Sequence, residues 1–227
     1  MRIAIFDFDG TIADSGPTIM GSARETLLRL GHPVPDEDRL RLFVGPPLLT
    51  GITEVLDVPA ERADEFRVTY RAIYTERMTE AVIYPGIPEL LAELRAAGWV
   101  LGVASSKRED LVARILHAKE LAAPFEVIAG ADLLDRHASK AWVLGRALAA
   151  LATRGLDTRG ALLVGDRRHD VDGAAEHGIR TIFARWGYGT EAEAAGAWAI
   201  ADSPVEVAAL LERASVAPDD GSAEGAD

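Results

Sequence analysis

The amino-acid sequence predicts an α/β fold: a doubly wound, Rossmann-like parallel sheet with an inserted α-helical cap domain. Three observations carry this. Short apolar runs recur along the chain with helix-spaced segments between them, the alternation that builds a parallel sheet. Three of these runs end in polar clusters, as strands that bring ligand groups to the carboxyl edge of an open sheet do. Between Ser15 and Ala81 the apolar spacing is helical throughout, so a helical block interrupts the core directly after its first strand. The expected organisation is a core of residues 1–14 and 82–213, a helical cap of residues 15–81, and a disordered acidic tail of residues 214–227.

Taken in order, Ile3, Ile5 and Phe6 read as a strand buried on both faces, ending in Asp7-Phe8-Asp9-Gly10-Thr11. Ser15-Gly16-Pro17 opens a helix that Gly31 ends, since a cap, an early proline and a final glycine mark its two ends. A short helix is expected over 36–43, then the stiff turn Gly45-Pro46-Pro47, then helical stripes over 48–56 and 63–74. Tyr84-Pro85-Gly86 marks the return to the core. A helix over 88–97 leads into a strand over 99–104, which runs into Ser105-Ser106-Lys107. A helix over about 108–118, a strand over 125–129 and a helix over 140–152 follow. The strand at 161–164 ends in Gly165-Asp166-Arg167-Arg168-His169-Asp170. After a short helix to Glu176 comes a strand over 179–184. Thr190-x-x-Glu193 and Ser203-Pro204-x-Glu206 fit capping boxes for the final helices.

Composition narrows the function classes. The 227 residues are 48% hydrophobic and 26% charged, ample for a core. There are no cysteines, which excludes disulfides and thiol nucleophiles and fits a reducing compartment. The N-terminus reads as a core strand rather than a signal peptide, and no apolar run is long enough to span a membrane. A cytoplasmic protein, monomeric or weakly homodimeric, is expected. Its net charge of −12, from 36 acidic and 24 basic residues, disfavours nucleic acid polymers and anionic membranes as partners. A small anionic substrate remains compatible if a metal or a local positive site receives it.

The chemistry gathers at the strand ends. Asp7 and Asp9, two residues apart at the sheet edge, carry like charges that a cation would keep ionised; alone, the stretch would also suit an ordinary Asp-Gly turn. Gly10 allows close backbone approach to a ligand or a positive φ. Asp166 and Asp170 sit four apart at a strand-to-helix turn. A hard cation such as Mg2+ takes oxygen ligands, which Asp7, Asp166 and the carbonyl of Asp9 would supply; helix capping is the alternative for Asp166 and Asp170. The hydroxyls of Ser105 and Ser106 and the first-turn amides suit a phosphate, while Ser106-x-x-Glu109 also reads as a capping box. Trp186, Tyr188 and Trp198 suit either stacking on a base or plain packing.

Asp7-Phe8-Asp9-Gly10-Thr11, Ser105, Lys140 and Gly165-Asp166 with Asp170 resemble, in this order, the four motifs of the haloacid dehalogenase superfamily. The resemblance covers residues 1 to about 213, and the helical insert is similar to that superfamily's small-cap class. Within it the chain resembles the phosphoglycolate phosphatase-like group, and Gly45-Pro46-Pro47-Leu48, the Asp166–Asp170 stretch and Trp186–Gly189 are similar to its 5′-nucleotidases. The resemblance implies a phosphatase that hydrolyses small phosphomonoesters through an aspartyl-phosphate. Asp7 would be the nucleophile and Asp9 the acid and base, with Mg2+ on Asp7, Asp9 and Asp166 and with Asp170 behind them. Gly10, Ser105, Ser106 and Lys140 would hold the phosphate, and Thr11 would support the loop. His169 is expected in a structural role. Gly45, Pro46, Trp186 and Tyr188 would shape specificity, with 5′-nucleotides favoured and phosphoglycolate the alternative. A halide-removing dehalogenase, a phosphomutase and a catalytically silent binding module are the competing readings. The chain has no Arg-His-Gly sequence and no Gly-Lys pair, which removes other phosphatase chemistries and a P-loop.

Overall fold

In the computed structural model, which describes residues 1–216, six strands form one parallel sheet in the order β5-β4-β1-β6-β7-β8. The strands and helices follow the chain as β1 (Ile3–Phe6), β2 (Ala13–Asp14), α1 (Gly16–Arg29), α2 (Glu37–Arg41) and α3 (Leu48–Thr50). Next come α4 (Ala63–Arg77), β3 (Val82–Ile83), α5 (Ile87–Ala96), β4 (Val100–Arg108), α6 (Glu109–Ala118), β5 (Phe125–Ala131) and α7 (Lys140–Thr153). The remainder is β6 (Leu162–Gly165), α8 (Arg168–Ala175), β7 (Arg180–Ala184), β8 (Ala199–Ala201) and α9 (Pro204–Val216).

The central strand β1 is buried on both faces because its side chains alternate between two apolar layers. Ile3 and Ile5 pack with Val143, Leu144 and Leu151 of α7, while Ala4 and Phe6 join the layer built by α5, α6 and α9. The helical insert belongs to that second layer. Phe66, Tyr70 and Tyr74 of α4, spaced four apart, form one buried face, with Tyr70 stacked on Phe66 and on Tyr74. The stripe over 48–56 is helical as expected, but α3 passes into a π-helical turn at Gly51–Val55. No strand occurs between residues 15 and 81.

The chain enters and leaves this insert through one small antiparallel ladder, Ala13 opposite Ile83 and Asp14 opposite Val82. Two residues per strand are too few for an alternation pattern, so the ladder has no signature in the sequence. The short β8 escaped detection for the same reason. The final helix runs to Val216 with Ala214 buried, past the residue at which the tail was expected to begin. The rest of that expected tail lies outside the described residues. Among the described residues no helix is long and apolar enough to cross a membrane.

Candidate active site

Strand register assembles the site. Phe6 at the end of β1 pairs with Val103 of β4 and Val164 of β6, so the residues just beyond them reach one edge together. Asp7, Ser105 and Asp166 are all buried there, at 4%, 1% and 0% exposure. Lys140 opens α7, whose N-cap is Ser139, and its side chain is buried against the same edge. Its Nζ lies 2.7 Å from Asp7 Oδ1 and 2.7 Å from Asp170 Oδ1, and donates to the Ala104 carbonyl at 2.8 Å. The lysine that the sequence marks only through its resemblance is thus the cation between two of the four acidic residues.

Asp166 is held by neutral groups. Thr11 Oγ1 donates to its Oδ1 at 3.1 Å and the Tyr188 amide to its Oδ2 at 2.7 Å. Gly10 and Gly187 pack so tightly on this carboxylate that a Cβ at either position would overlap it, and Gly10 also has φ +84°. Asp170 meets the capping reading, its Oδ2 accepting the Arg167 amide at 2.9 Å at the start of α8, while its Oδ1 faces Lys140.

Several expectations need correction. Gly10 does not offer its amide to a phosphate, because that N–H donates to the Ala13 carbonyl at 2.9 Å. Ser106 caps nothing: β4 continues to Arg108, and α6 begins one residue later with Arg108 as N-cap. The Ser106 hydroxyl is buried without a hydrogen-bond partner and lines a cavity beside Asp9. Trp186 and Tyr188 are committed to the fold rather than free to stack on a base. The Trp186 indole donates to the Thr11 carbonyl at 3.1 Å, and the Tyr188 hydroxyl bonds Asp14 and accepts the Gly16 amide at 2.6 Å. His169 is exposed on α8, its pKa lowered by partial desolvation and by Arg167. The second capping box is shifted, Glu206 accepting from the Asp202 amide at 3.1 Å.

Lys107, Ser15, Arg167 and Glu193, not assigned to the site from the sequence, belong to it or brace it. Lys107 Nζ reaches both carboxylate oxygens of Asp9, at 2.8 and 2.7 Å, and Ser15 Oγ donates to the same carboxylate. Extended backbone through residue 107 places Lys107 on the Ser105 side of β4, a signal available had the strand been drawn three residues longer. Arg167 reaches across to the insert, donating to the Val44 carbonyl while Glu193 holds its Nε at 2.8 Å. Gly45 lies against it, where a Cβ would come within 2.9 Å of the Arg167 side chain. Gly45 and Pro46 thereby form the wall of the cavity over Asp9, facing Ser106 and Lys107.

Charge is the dominant property here. Side-chain oxygens of Asp7, Asp166 and Asp170 lie within 4.8 Å of one another. Burial pushes the Asp7 carboxyl up to about 7, Lys140 pulling the other way and Asp170 adding to the rise. Burial, then Asp170 and Asp7, hold Asp166 well above the carboxylate range. Lys140 is held above its ordinary value: burial opposes its charge, and Asp170 and Asp7 outweigh it. A buried, oxygen-rich cluster with excess negative charge suits a hard divalent cation, which would let these carboxylates stay ionised near neutral pH.

A family model described as haloacid dehalogenase-like hydrolase matches residues 4–184, which include Asp7, Ser105, Lys140 and Asp166. The chain belongs to the haloacid dehalogenase-like hydrolase family. Among its relatives, Tyrosine-protein kinase PtkA of Mycobacterium tuberculosis is 45% identical over 189 residues, 83% of this chain and 63% of that protein. The chain therefore spans less than two thirds of that relative's length. The 5′-nucleotidase of Pseudomonas aeruginosa is 34% identical over 197 residues, covering 83% of this chain and 85% of the relative. The crystal structure of a predicted phosphatase from Clostridium acetobutylicum superimposes with a TM-score of 0.84 at 32% identity, covering 93% and 97% of the two chains.

Proposed function

We propose that this hydrolase is a Mg2+-dependent phosphatase that cleaves small phosphomonoesters through an aspartyl-phosphate on Asp7, acting in the cytoplasm. The observation that carries the reading is the contrast between two carboxylates on one strand end. Asp7 faces Lys140 and the acidic cluster, whereas Asp9 is turned away and clasped by Lys107 and Ser15. Two close carboxylates in unlike surroundings divide nucleophile and proton-transfer roles.

Asp7 attacks phosphorus, forming one P–O bond as the ester P–O bond breaks. Asp9 carries the proton that the leaving alkoxide takes. Asp9 then accepts a proton from water as water attacks phosphorus, and Asp7 leaves as carboxylate with release of inorganic phosphate. Lys140 keeps Asp7 in place and meets negative charge on the phosphoryl oxygens, together with Ser105 Oγ. Asp7, Asp166 and the Asp9 carbonyl would hold Mg2+, which when bound supplies charge neutralisation of the phosphoryl oxygens. Asp170 stays behind them on Lys140 and the Arg167 amide.

The helical insert acts as a cap. The cavity between it and Asp9 is about 30 Å³, room for about one water, so substrate entry requires the insert to swing away on the β2–β3 ladder. Trp186 and Tyr188 hold that ladder and the Asp9–Ala13 turn, so a preference for 5′-nucleotides rests on the group resemblance and not on stacking by these rings.

Release of phosphate from p-nitrophenyl phosphate tests the reading. Turnover is expected with Mg2+ and is expected to vanish on chelation, with acid-quenched phosphoenzyme mapping to Asp7. Undiminished turnover in excess chelator after dialysis overturns it. The identity with proteins named as tyrosine kinases favours a second reading, in which Asp7 relays phosphoryl to a tyrosine hydroxyl instead of water. Label passing from ATP to phosphotyrosine, without matching phosphate release, would favour it.

A further inference from the structure

We propose that the substrate is the phosphate ester of an uncharged alcohol, whose first polar group beyond the ester oxygen bonds Ser106 and whose apolar face meets Phe43 and Tyr70. This rests on the phosphomonoester reading and narrows it to a substrate class.

Once the insert has moved to admit substrate, the space over Asp9 is where a leaving group must lie, because Asp9 is the proton donor to that oxygen. Its walls come from both sides: Ser106 and Lys107 from β4, Phe43, Pro46 and Tyr70 from the insert. Phe43 and Tyr70 meet edge to face at 5.7 Å and are almost wholly buried, an apolar surface for one side of a ligand. Ser106 is 6% exposed, and its hydroxyl has no partner in the protein. A buried hydroxyl without a hydrogen bond is costly, so one that lines a ligand cavity is explained by a ligand group that bonds it.

The charges decide what that group can be. Among the described residues, the lysines and arginines next to this cavity already face carboxylates. Lys107 is on Asp9, Lys140 on Asp7 and Asp170, Arg71 on Asp135 and Arg167 on Glu193. Arg41 lies outside, over the Tyr188 ring. At the sheet edge Lys107 and Lys140 with a divalent cation would balance four carboxylates, Asp7, Asp9, Asp166 and Asp170, so the phosphoryl dianion makes the loaded site negative. Lys107 is held on both carboxylate oxygens of Asp9, and the phosphoryl dianion enters the same space. A second anionic group on the leaving side, such as the carboxylate of phosphoglycolate, would be desolvated among excess negative charge with no cation left to receive it. A hydroxyl or amide would lose nothing by that and would satisfy Ser106.

Binding of non-hydrolysable phosphonates by calorimetry, in Mg2+, tests this apart from turnover. 3-Phosphonopropionate and its neutral amide share size and shape and differ in the tail charge. The amide is expected to bind at least tenfold more tightly. Ser106→Ala should weaken the amide at least threefold more than it weakens ethylphosphonate, which has no polar tail. Equal or tighter binding of the acid overturns the inference while leaving the phosphatase reading intact. An equal loss for both ligands in Ser106→Ala removes Ser106 from recognition and overturns its part. If none of the phosphonates binds, the phosphomonoester reading falls and this inference with it.

Discussion

At the scale of single residues, Asp7 is where catalysis and stability oppose each other. Its carboxyl holds a proton in the fold up to about pH 7, against an ordinary value of 3.8, because it is buried. Between those values the folded state binds more protons than the unfolded chain, so stability falls as pH rises through the interval. Metal-free protein should therefore be more stable at pH 5 than at pH 7.5, and Mg2+ should raise Tm more at the higher pH. Asp7→Asn removes the titration. It is expected to abolish turnover, since an amide is not a competent nucleophile, and to gain at least about 1 kcal/mol at pH 7.5, roughly 2–4 °C in Tm for a chain this long. Melting curves of both proteins at the two pH values check this. A wild-type Tm that rises from pH 5 to pH 7.5 without metal would contradict it.

At the scale of elements, what the sequence revealed and what it hid divide along one physical line. β1, β6 and the strand core of β4 were legible because burial on both faces leaves unbroken apolar runs, and Asp7, Asp9, Ser105 and Asp166 follow from where those runs stop. Lys140 needed the resemblance, because nothing local distinguishes a buried lysine at a helix start from a solvated one. Lys107, Arg167 and Glu193 were missed because their partners lie far along the chain, 98 residues for Lys107–Asp9 and 26 for Arg167–Glu193. The Trp186-Gly187-Tyr188-Gly189 segment was read through its aromatic rings, yet its glycines carry the nearer contact with the site. Gly187 lies against Asp166, with an ordinary negative-side backbone that alanine can adopt. Gly187→Ala therefore tests crowding alone. It should displace the Asp166 carboxylate, lowering Mg2+ affinity and kcat/KM at least tenfold with the circular dichroism spectrum unchanged. Mg2+ affinity equal to wild type would show that the loop does not set the carboxylate.

At the scale of the whole molecule, the insert is fastened to the core on two sides of the site. Arg167 holds the Val44 carbonyl near one side, and Arg71 of α4 pairs with Asp135 of the β5–α7 loop on the other, Nε to Oδ2 at 3.1 Å. Asp135 is wholly buried and sits at φ +57°, so the loop adopts an uncommon conformation where it meets Arg71. Removing one partner would strand a buried charge and cost about 3–5 kcal/mol, confusing opening with unfolding; replacing both with apolar residues of similar volume avoids this. In Arg71→Met/Asp135→Leu the insert should spend more time open. Because the chain has no cysteine, Glu61→Cys in the insert and Glu126→Cys in the core supply two unambiguous dye positions, both exposed. Single-molecule energy transfer should show a single closed population in the labelled parent. The double substitution should add a second, lower-transfer population that Mg2+ with orthovanadate draws back, since a ligand that binds only the closed form shifts the balance by its differential affinity. Identical distributions in both proteins would mean that this ion pair does not govern closure, leaving Arg167 and the Gly45 turn as the remaining fastening.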